Sequence, residues 1–259
     1  MAGDTMAMLS SRIIALLAAL ALAPAALAEP LTIAVASNFA RPAQELAARY
    51  EDTSGNPVRV ATASTGKLYA QIENGAPFDI LLAADADRPK LLEDSGLGVA
   101  GTRFNYAVGS LVLWSRDPAL AGENCETLLE RLDSRRLAIA NPQTAPYGMA
   151  AMQFLEAANL WDSVEHQLVY GENIAQALHF VVSGNASLGL LARAQATDER
   201  LPKATCSWSV PDSMHEPIEQ HAILLHRASD NVVATDFLHY LRSAAGREVI
   251  SAYGYEVPN

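Results

Sequence analysis

The segment ASTGKLYAQIENGAPFDILLAAD, residues 63–85, decides the fold class. Its amphipathic stretch 68–74 predicts a helix, and its apolar stretch 78–84 predicts a strand. A run rich in β-branched residues, 58–63, leads into the segment and predicts another strand. Strands that alternate with helices in this way are typical of an α/β protein with a mainly parallel sheet.

The same alternation extends over the rest of the chain. Upstream we expect a strand at residues 31–36 and a helix at 39–50. The other predicted strands are 106–114, 137–140, 167–170, 187–192 and 218–225. The other predicted helices are 88–94, 126–132, 148–159 and 175–182, with one or two more at 232–253. Because no low-complexity linker separates the halves, we expect any two domains to be joined by strand-like crossovers near Ala107 and Glu219.

The first 28 residues have the layout of a cleavable secretory signal. Arg12 precedes an apolar run at residues 13–23, and Pro24 and the triplet Ala26, Leu27, Ala28 follow it. A transmembrane anchor needs about 20 apolar residues, so this run is too short for that alternative. We therefore expect export to the periplasm and cleavage after Ala28, and we exclude residues 1–28 from the fold.

The chain is acidic, with 18 Lys and Arg residues, 29 Asp and Glu residues and a formal net charge of −11. The signal segment contains one acid, Asp4, and one base, Arg12, so its removal leaves the charge unchanged. Nucleic acids and anionic lipid surfaces bind to basic patches. We therefore expect neither as a partner.

The chain has two cysteines, Cys125 and Cys206. An oxidising exported compartment would let them pair in a disulfide. Two unrelated, small buried residues are the alternative, because the sequence does not give the distance between their Cα atoms. The sequence leaves the two readings open.

Four predicted strand-to-helix junctions carry residues suited to anion capture. The junction residues are Ser37 and Asn38; Ser64, Thr65 and Gly66; Pro146, Tyr147 and Gly148; and Glu172, Asn173 and Ile174. A helix N-terminus presents unpaired backbone N–H groups and the positive end of the helix dipole, so several converging termini can hold an anion. We expect Gly66 and Gly148 to let an oxyanion approach the backbone closely. For any single junction, ordinary helix capping by Ser, Thr or Asn is the alternative.

Six segments together resemble the molybdate-binding periplasmic proteins of ABC transporters. They are AVASNF (34–39), the quoted segment 63–85, NPQTAPYGMAA (141–151), GENIAQAL (171–178), SGNASLGLLA (183–192) and PIEQHAILL (217–225). The resemblance spans nearly the whole mature chain and implies a two-lobed α/β fold, the type II periplasmic-binding-protein fold, with a hinge between the lobes. On this basis residues 29–107 and 220–259 form lobe 1, and residues 108–219 form lobe 2.

The resemblance also implies which residues bind the anion. In lobe 1 it points to Ser37 or its neighbour Asn38, and to Thr65. In lobe 2 it points to Tyr147 and to the backbone of Ile174. Some family members instead use a tyrosine just after the strand that corresponds to residues 188–191, where this chain has Ala192. The chain therefore looks like the branch whose tyrosine comes from the APYG turn.

The expected function is that of an exported binding protein, not an enzyme, which captures molybdate or tungstate and delivers it to an ABC transporter permease. We expect a monomer without a cofactor, in which the same residues hold the oxyanion and none ligates its metal directly. Sulfate, phosphate or a ferric complex is the alternative solute, and an exported hydrolase is the alternative class. STGKL lacks the first glycine and the final Ser or Thr of a phosphate-binding loop, and the histidines have no zinc spacing.

Overall fold

The structure, a computed structural model, describes residues 29–258 and contains two five-stranded sheets. The strands are β1 (Leu31–Ala36), β2 (Val58–Ala63), β3 (Ile80–Leu82), β4 (Phe104–Gly109), β5 (Leu111–Ser115), β6 (Leu137–Ala140), β7 (Leu168–Gly171), β8 (Leu188–Ala192), β9 (Cys206–Ser209) and β10 (Ile218–Leu224). The first sheet has the order β2-β1-β3-β10-β4, and the second has the order β7-β6-β8-β5-β9. We call each sheet with its helices a lobe, the first and the second.

Helices connect the strands. They are α1 (Ala40–Ser54), α2 (Thr65–Glu73), α3 (Asp87–Asp94), α4 (Pro146–Ala157), α5 (Trp161–Val164), α6 (Ile174–Val182), α7 (Arg193–Ala196), α8 (Val232–Arg242) and α9 (Ala244–Ala252). The segment predicted as a helix at 126–132 is a 3₁₀ helix, Glu126–Arg131. In α1, the buried residues Ala43, Leu46, Ala47 and Tyr50 recur every three or four positions, so one face of the helix packs on the sheet.

In each sheet four of the five strands run in the same direction, in agreement with the expected mainly parallel sheet, and one strand runs against them. In the first sheet β1 runs parallel to β2 and β3, but β10 runs antiparallel to β3 and β4. In the second sheet β6 runs parallel to β7 and β8, but β5 runs antiparallel to β8 and β9. The antiparallel strands are the ones next to the passages between the sheets, where the chain enters each sheet from the other lobe.

The chain passes between the lobes twice. It leaves the first sheet at the end of β4, passes through Ser110 and enters the second sheet with β5. It returns to the first sheet between β9 and β10. The run 106–114 was predicted to be one strand that passes into a second unit. It does pass from one sheet to the other, but as two strands, β4 and β5, rather than as one.

The first sheet is buried on both faces. Along β1, Leu31, Ile33 and Val35 point into one apolar cluster, whereas Ala34 points into another. This arrangement explains why the strand is apolar at nearly every position, since a covered sheet has no solvent face. Burial on both faces holds the ends of the strands rigidly. These ends position the junction residues that follow them in the chain.

Cys125 and Cys206 form a disulfide with their Cα atoms 5.4 Å apart. The bond joins the start of the 3₁₀ helix to the edge strand β9. Of the two alternatives that the sequence left open for the cysteines, the structure has the disulfide. Within residues 29–258, no helix is long and apolar enough to cross a bilayer. The predicted signal segment, residues 1–28, lies outside the described residues.

Candidate functional site

A small cavity lies between the lobes, just beyond the carboxyl ends of parallel strands from both sheets. Its volume is about 10 Å³, and its lining residues are Ala36, Ser37, Asn38, Ser64, Thr65, Ala84, Ala145, Pro146, Tyr147 and Ile174. Pockets for drug-sized ligands typically have volumes of about 300–1,000 Å³, so this cavity suits a smaller ligand. Ligands of open α/β sheets commonly bind at this end of the strands.

The structure brings all five sequence-predicted site residues to this one cavity. Ser37, Asn38 and Thr65 come from the first lobe, and Tyr147 and Ile174 come from the second. All five are buried. The four junctions therefore converge, because strand ends of both lobes face each other across the cleft.

Thr65 and Ser64 bring two hydroxyl groups to the first-lobe side. Thr65 Oγ1 accepts a hydrogen bond of 3.1 Å from the Ala84 backbone N–H, so the hydroxyl proton of Thr65 remains free to donate. Ser64 Oγ is buried and has no partner within the described residues. An unpaired buried hydroxyl costs free energy, and a bound anion would satisfy it.

Ser64 is a site residue that the family pattern did not single out. It occupies the N-cap position of α2, but its side chain accepts no capping hydrogen bond. The ordinary capping interpretation therefore fails at this junction. The available signal was the junction itself, where Ser64 directly precedes the predicted ligand Thr65.

The Asn38 side chain hydrogen-bonds within the protein and is not available to a ligand in the cavity. Its Nδ2 donates hydrogen bonds to Gln220 Oε1 at 2.9 Å and to Tyr255 Oη at 3.1 Å. The two hydrogens of the amide nitrogen are thus used within the protein. Of the pair Ser37 and Asn38, only Ser37 keeps an uncommitted side-chain donor, and Asn38 can meet an anion through its backbone alone.

The second lobe offers two helix N-termini. Helix α4 begins at Pro146, whose missing N–H suits the first helical position, and Tyr147 follows it. Helix α6 begins at Ile174, and the Asn173 side chain caps it by accepting a 3.1 Å hydrogen bond from the Gln176 N–H. Helix capping is thus confirmed for Asn173, while the backbone N–H of Ile174 belongs to the first turn, where intrahelical acceptors are lacking.

Gly66 and Gly148 do not serve the purpose expected from the sequence. A Cβ atom at Gly66 would lie 2.9 Å from the backbone oxygen of Thr144, and a Cβ atom at Gly148 would lie 2.3 Å from that of Ala140. The close approach at each glycine is therefore made by protein backbone, not by a ligand. Gly66 allows the two lobes to meet, and Gly148 allows α4 to pack on the end of β6.

The cavity lining carries no charged side chain, so the site depends on neutral donors. Burial raises the pKa of Tyr147 well above its ordinary value, and the hydroxyl therefore keeps its proton. Lys67 is about half exposed and pairs with Glu172 of the other lobe at 2.7 Å. Such an exposed pair contributes little free energy.

Direct contacts join the lobes around the cavity. The Gly66 N–H donates to the Thr144 carbonyl at 2.9 Å, and Arg88 Nη2 donates to the Gln143 carbonyl at 3.3 Å. On the opposite side, Arg41 pairs with Asp198 at 2.6 Å. The arrangement is that of a closed cleft.

An outer groove of about 690 Å³ shares Ala84, Ala145 and Pro146 with the small cavity. Its charged lining residues are Asp85, Asp87, Arg88, Glu216 and Glu219. Burial raises the pKa of Asp85, whereas the neighbouring Arg88 guanidinium opposes that shift. The groove is predominantly acidic, which distinguishes it chemically from the uncharged inner cavity.

Comparisons with known proteins show the family of the chain. Residues 31–256 match a family model described as bacterial extracellular solute-binding protein. The chain is 43% identical to the molybdate-binding protein ModA of Azotobacter vinelandii, over 95% of this chain and 97% of that protein. It is 40% identical to the molybdate-binding protein ModA of Rhodobacter capsulatus, over 93% of each.

Solved structures resemble this one as well. The periplasmic molybdate-binding protein of Azotobacter vinelandii superposes with a TM-score of 0.82 at 34% identity, over 88% of this chain and all of that one. A sulfate-binding protein of Mycobacterium tuberculosis superposes with a TM-score of 0.72 at 11% identity, over 89% of this chain and 87% of that one. The second likeness shows a shared fold alone.

Proposed function

We infer that this chain, which belongs to the bacterial extracellular solute-binding protein family, captures molybdate or tungstate and delivers it to an ABC transporter. The relatives with 43% and 40% identity are named as molybdate-binding proteins, and both are matched over nearly their whole length. The two-lobed α/β fold expected from the sequence is confirmed by the Azotobacter structure.

The observation that carries the proposal is the uncharged cavity with hydrogen-bond donors from both lobes. We assign the oxyanion to Ser37, Thr65 and Tyr147 through their hydroxyl groups, and to Asn38 and Ile174 through the backbone. Ser64 Oγ, buried without a partner in the described part of the chain, joins them. A tetrahedral dianion offers acceptors in every direction, so it pairs with such a set of donors.

The same chemistry favours selectivity. A site built from donors leaves the proton of a protonated oxyanion, such as hydrogen phosphate, without an acceptor. Fixed helix ends also limit the size of ion that touches both lobes at once. We therefore expect the larger molybdate and tungstate ions to bind in preference to sulfate and phosphate.

Binding rather than catalysis is the role that the cavity supports. Its serine and threonine hydroxyl groups, those of Ser37, Ser64 and Thr65, have no histidine or carboxylate beside them among the lining residues. Activation of a serine as a nucleophile needs such a base within hydrogen-bond reach. The lining supplies anion donors and no such acid–base pair.

The proposed mechanism is a shift between open and closed states. We assign residues 29–107 and 220–259 to lobe 1 and residues 108–219 to lobe 2, with hinges at the two passages of the chain. The anion stabilises the closed state because it contacts donors of both lobes at once. The closed form then docks on a membrane permease as a monomer.

We place the protein in the periplasm, delivered there by the signal segment 1–28. The Cys125–Cys206 disulfide supports this location, since disulfides persist in oxidising compartments. The periplasmic relative of Azotobacter vinelandii supports it too.

Isothermal titration with molybdate, tungstate, sulfate, phosphate and ferric citrate tests the proposal. We expect one molybdate or tungstate per chain, with sulfate and phosphate at least a hundredfold weaker, or about 2.7 kcal/mol. Absence of molybdate binding, or a preference for one of the other ions, would contradict the proposed function.

A further inference from the structure

A cluster of buried polar side chains lies behind the anion cavity. It consists of Asn38, Tyr106, Tyr147, Gln220 and Tyr255, all of them buried. Gln220 is fully buried in β10, which is otherwise apolar from Ala222 onward. The pairing of β10 with β4 shifts register between Gln220 and His221, and bulges of this kind redirect side chains beside functional sites.

The direction of the hydrogen bonds in this cluster is fixed by one backbone oxygen. Tyr255 Oη donates its single proton to the Asn38 carbonyl at 2.9 Å. Tyr255 Oη can then only accept from the Asn38 side chain, so the Asn38 atom at 3.1 Å is the nitrogen Nδ2. The other hydrogen of Nδ2 goes to Gln220, whose facing atom at 2.9 Å must be the oxygen Oε1.

Tyr106 agrees with this assignment. Its hydroxyl lies 3.1 Å from the Ala83 carbonyl and 3.2 Å from Gln220 Oε1, and both of these atoms are acceptors. With Oε1 turned toward Asn38 and Tyr106, the amide nitrogen Nε2 of Gln220 points the other way. It has no partner within the described residues.

Tyr147 Oη is the other unpartnered atom at this place. A Cβ atom built on Gly109 would lie 2.0 Å from Tyr147 Oη and 3.0 Å from Gln220 Nε2. The two groups therefore meet over the bare backbone of Gly109, the last residue of β4. Burial raises the pKa of Tyr147, the neighbouring Tyr255 hydroxyl raises it further, and Gln220 opposes that shift.

We propose that Gln220 is a positioning residue which donates its Nε2–H to Tyr147 Oη and thereby commits the single Tyr147 proton to the bound anion. The inference rests on the proposed function, because it assigns Tyr147 to the anion. A tyrosine hydroxyl has one proton, and it can point either into the protein or into the cavity. On the inner side Tyr255 Oη is the competing acceptor, and an N–H from Gln220 on that side makes the outward direction the favourable one.

The test uses Gln220→Glu and Gln220→Met in wild-type and Tyr147→Phe backgrounds. A carboxylate at position 220 only accepts, so it draws the Tyr147 proton away from the anion, whereas methionine has similar size and no such preference. Molybdate affinity is measured by titration calorimetry from pH 5.5 to 8.5, and the thermal unfolding midpoint of each variant reports its fold.

We expect Gln220→Glu to weaken molybdate binding at least tenfold more than Gln220→Met at pH 8.5. The loss should diminish as the pH falls, because a protonated carboxyl group can donate to Tyr147 again. In the Tyr147→Phe background the difference between the two variants should shrink, because only the direct repulsion between the carboxylate and the dianion remains. A role in packing alone would give neither the pH profile nor this coupling.

Two results would overturn the inference: equal affinities of the Glu and Met variants at every pH, or an equal penalty in both backgrounds. If Gln220→Glu does not fold, the cycle of Gln220→Met with Tyr147→Phe decides, and additive losses then reject the inference. Failure of the wild-type protein to bind molybdate is a separate result, which contradicts the proposed function.

Discussion

The Gly66 backbone N–H donates a 2.9 Å hydrogen bond to the carbonyl oxygen of Thr144, which joins the first turn of α2 to the loop before α4. The bond crosses the cleft beside the cavity. A Cβ atom at position 66 would lie 2.9 Å from that same oxygen, so only glycine permits the contact without displacement. Closure of the lobes thus depends on a backbone contact next to the donor Thr65.

Gly66→Ala should separate fold stability from anion affinity. Alanine favours a helix over glycine by up to about 1 kcal/mol, so the unfolding free energy of the anion-free protein should stay constant or rise. Molybdate binding should weaken roughly tenfold, about 1.4 kcal/mol, because the added methyl group keeps the lobes apart. Titration calorimetry and thermal unfolding measure the two effects.

Ala70→Gly on the exposed face of the same helix is the matched control for this substitution. It should lower stability and leave affinity unchanged. An unaltered affinity of Gly66→Ala, with an unaltered radius of gyration of the molybdate complex by small-angle scattering, would contradict a tight backbone contact in the closed state.

Neutral donors rather than Lys67 should supply the binding free energy. Thr65→Ala and Tyr147→Phe should each weaken molybdate binding by about 1.5–3 kcal/mol, the range for a hydrogen bond to a charged group. Lys67→Ala should cost far less, because its pair with Glu172 is exposed and screened. Titration calorimetry of the three variants measures this order.

Thr65→Ser retains the hydroxyl and serves as the control for Thr65→Ala, with an expected affinity close to wild type. The reverse order, a collapse of binding in Lys67→Ala with near-normal Thr65→Ala and Tyr147→Phe, would reject the assigned donor set.

Ser64→Ala should have opposite effects on the free and the bound protein. Its hydroxyl is buried without a partner in residues 29–258, so its removal should raise the unfolding free energy of the anion-free protein by about 1 kcal/mol. Molybdate affinity should fall by about 1.5–3 kcal/mol, since the anion loses a donor. Urea unfolding with and without molybdate measures both changes, and a rise in stability with unchanged affinity would remove Ser64 from the site.

Loss of the disulfide should lower stability without altering the anion site. The bond joins residues 81 positions apart, and removal of such a cross-link typically costs about 2–4 kcal/mol. The Cys125→Ser, Cys206→Ser double variant should show this loss in urea unfolding and keep its molybdate affinity, because neither cysteine lines the cavity. Two reactive thiols in unreduced, denatured wild-type protein would be inconsistent with the bond.

Export should leave Glu29 as the N-terminal residue. The expectation comes from Arg12, the apolar run 13–23 and the triplet that ends at Ala28. Intact-mass spectrometry of protein recovered from its host checks it. A mass that includes residues 1–28 would contradict cleavage.

Much of the fold was predictable because buried positions recur with the period of a helix or a strand and carry apolar residues. The predicted bounds of β1, β2 and β6 agree with the structure, since their apolar runs end sharply at polar or glycine-containing junctions. Strand direction leaves no such pattern, so the one antiparallel strand of each sheet was not foreseen. A crossover was expected near Ala107, but the break at Ser110 was missed for a related reason: β4 and β5 are both buried, and the run through them reads as one strand.

For the site, too, some features were predictable from the sequence and others were not. Residues that follow strand ends were found, because parallel strands of one lobe deliver them to the same edge. The functions of Gly66 and Gly148 were misread, since a glycine beside a ligand and a glycine beside backbone look alike in a sequence. Gln220 was not singled out, although its position on the alternating face of the strand that otherwise carries Ile218, Ala222 and Leu224 was the available signal.

The insertion of β10 between β3 and β4 governs the order in which the lobes can form. The second sheet is built from one contiguous stretch, β5 to β9, so it can assemble as soon as that stretch is available. In the first sheet, β4 pairs with no strand other than β10 among the described residues, and Val108 is bonded further to Glu256. When the chain emerges from a translocation channel N-terminus first, β4 and one edge of β3 must therefore wait for β10 and the C-terminal segment before they can pair.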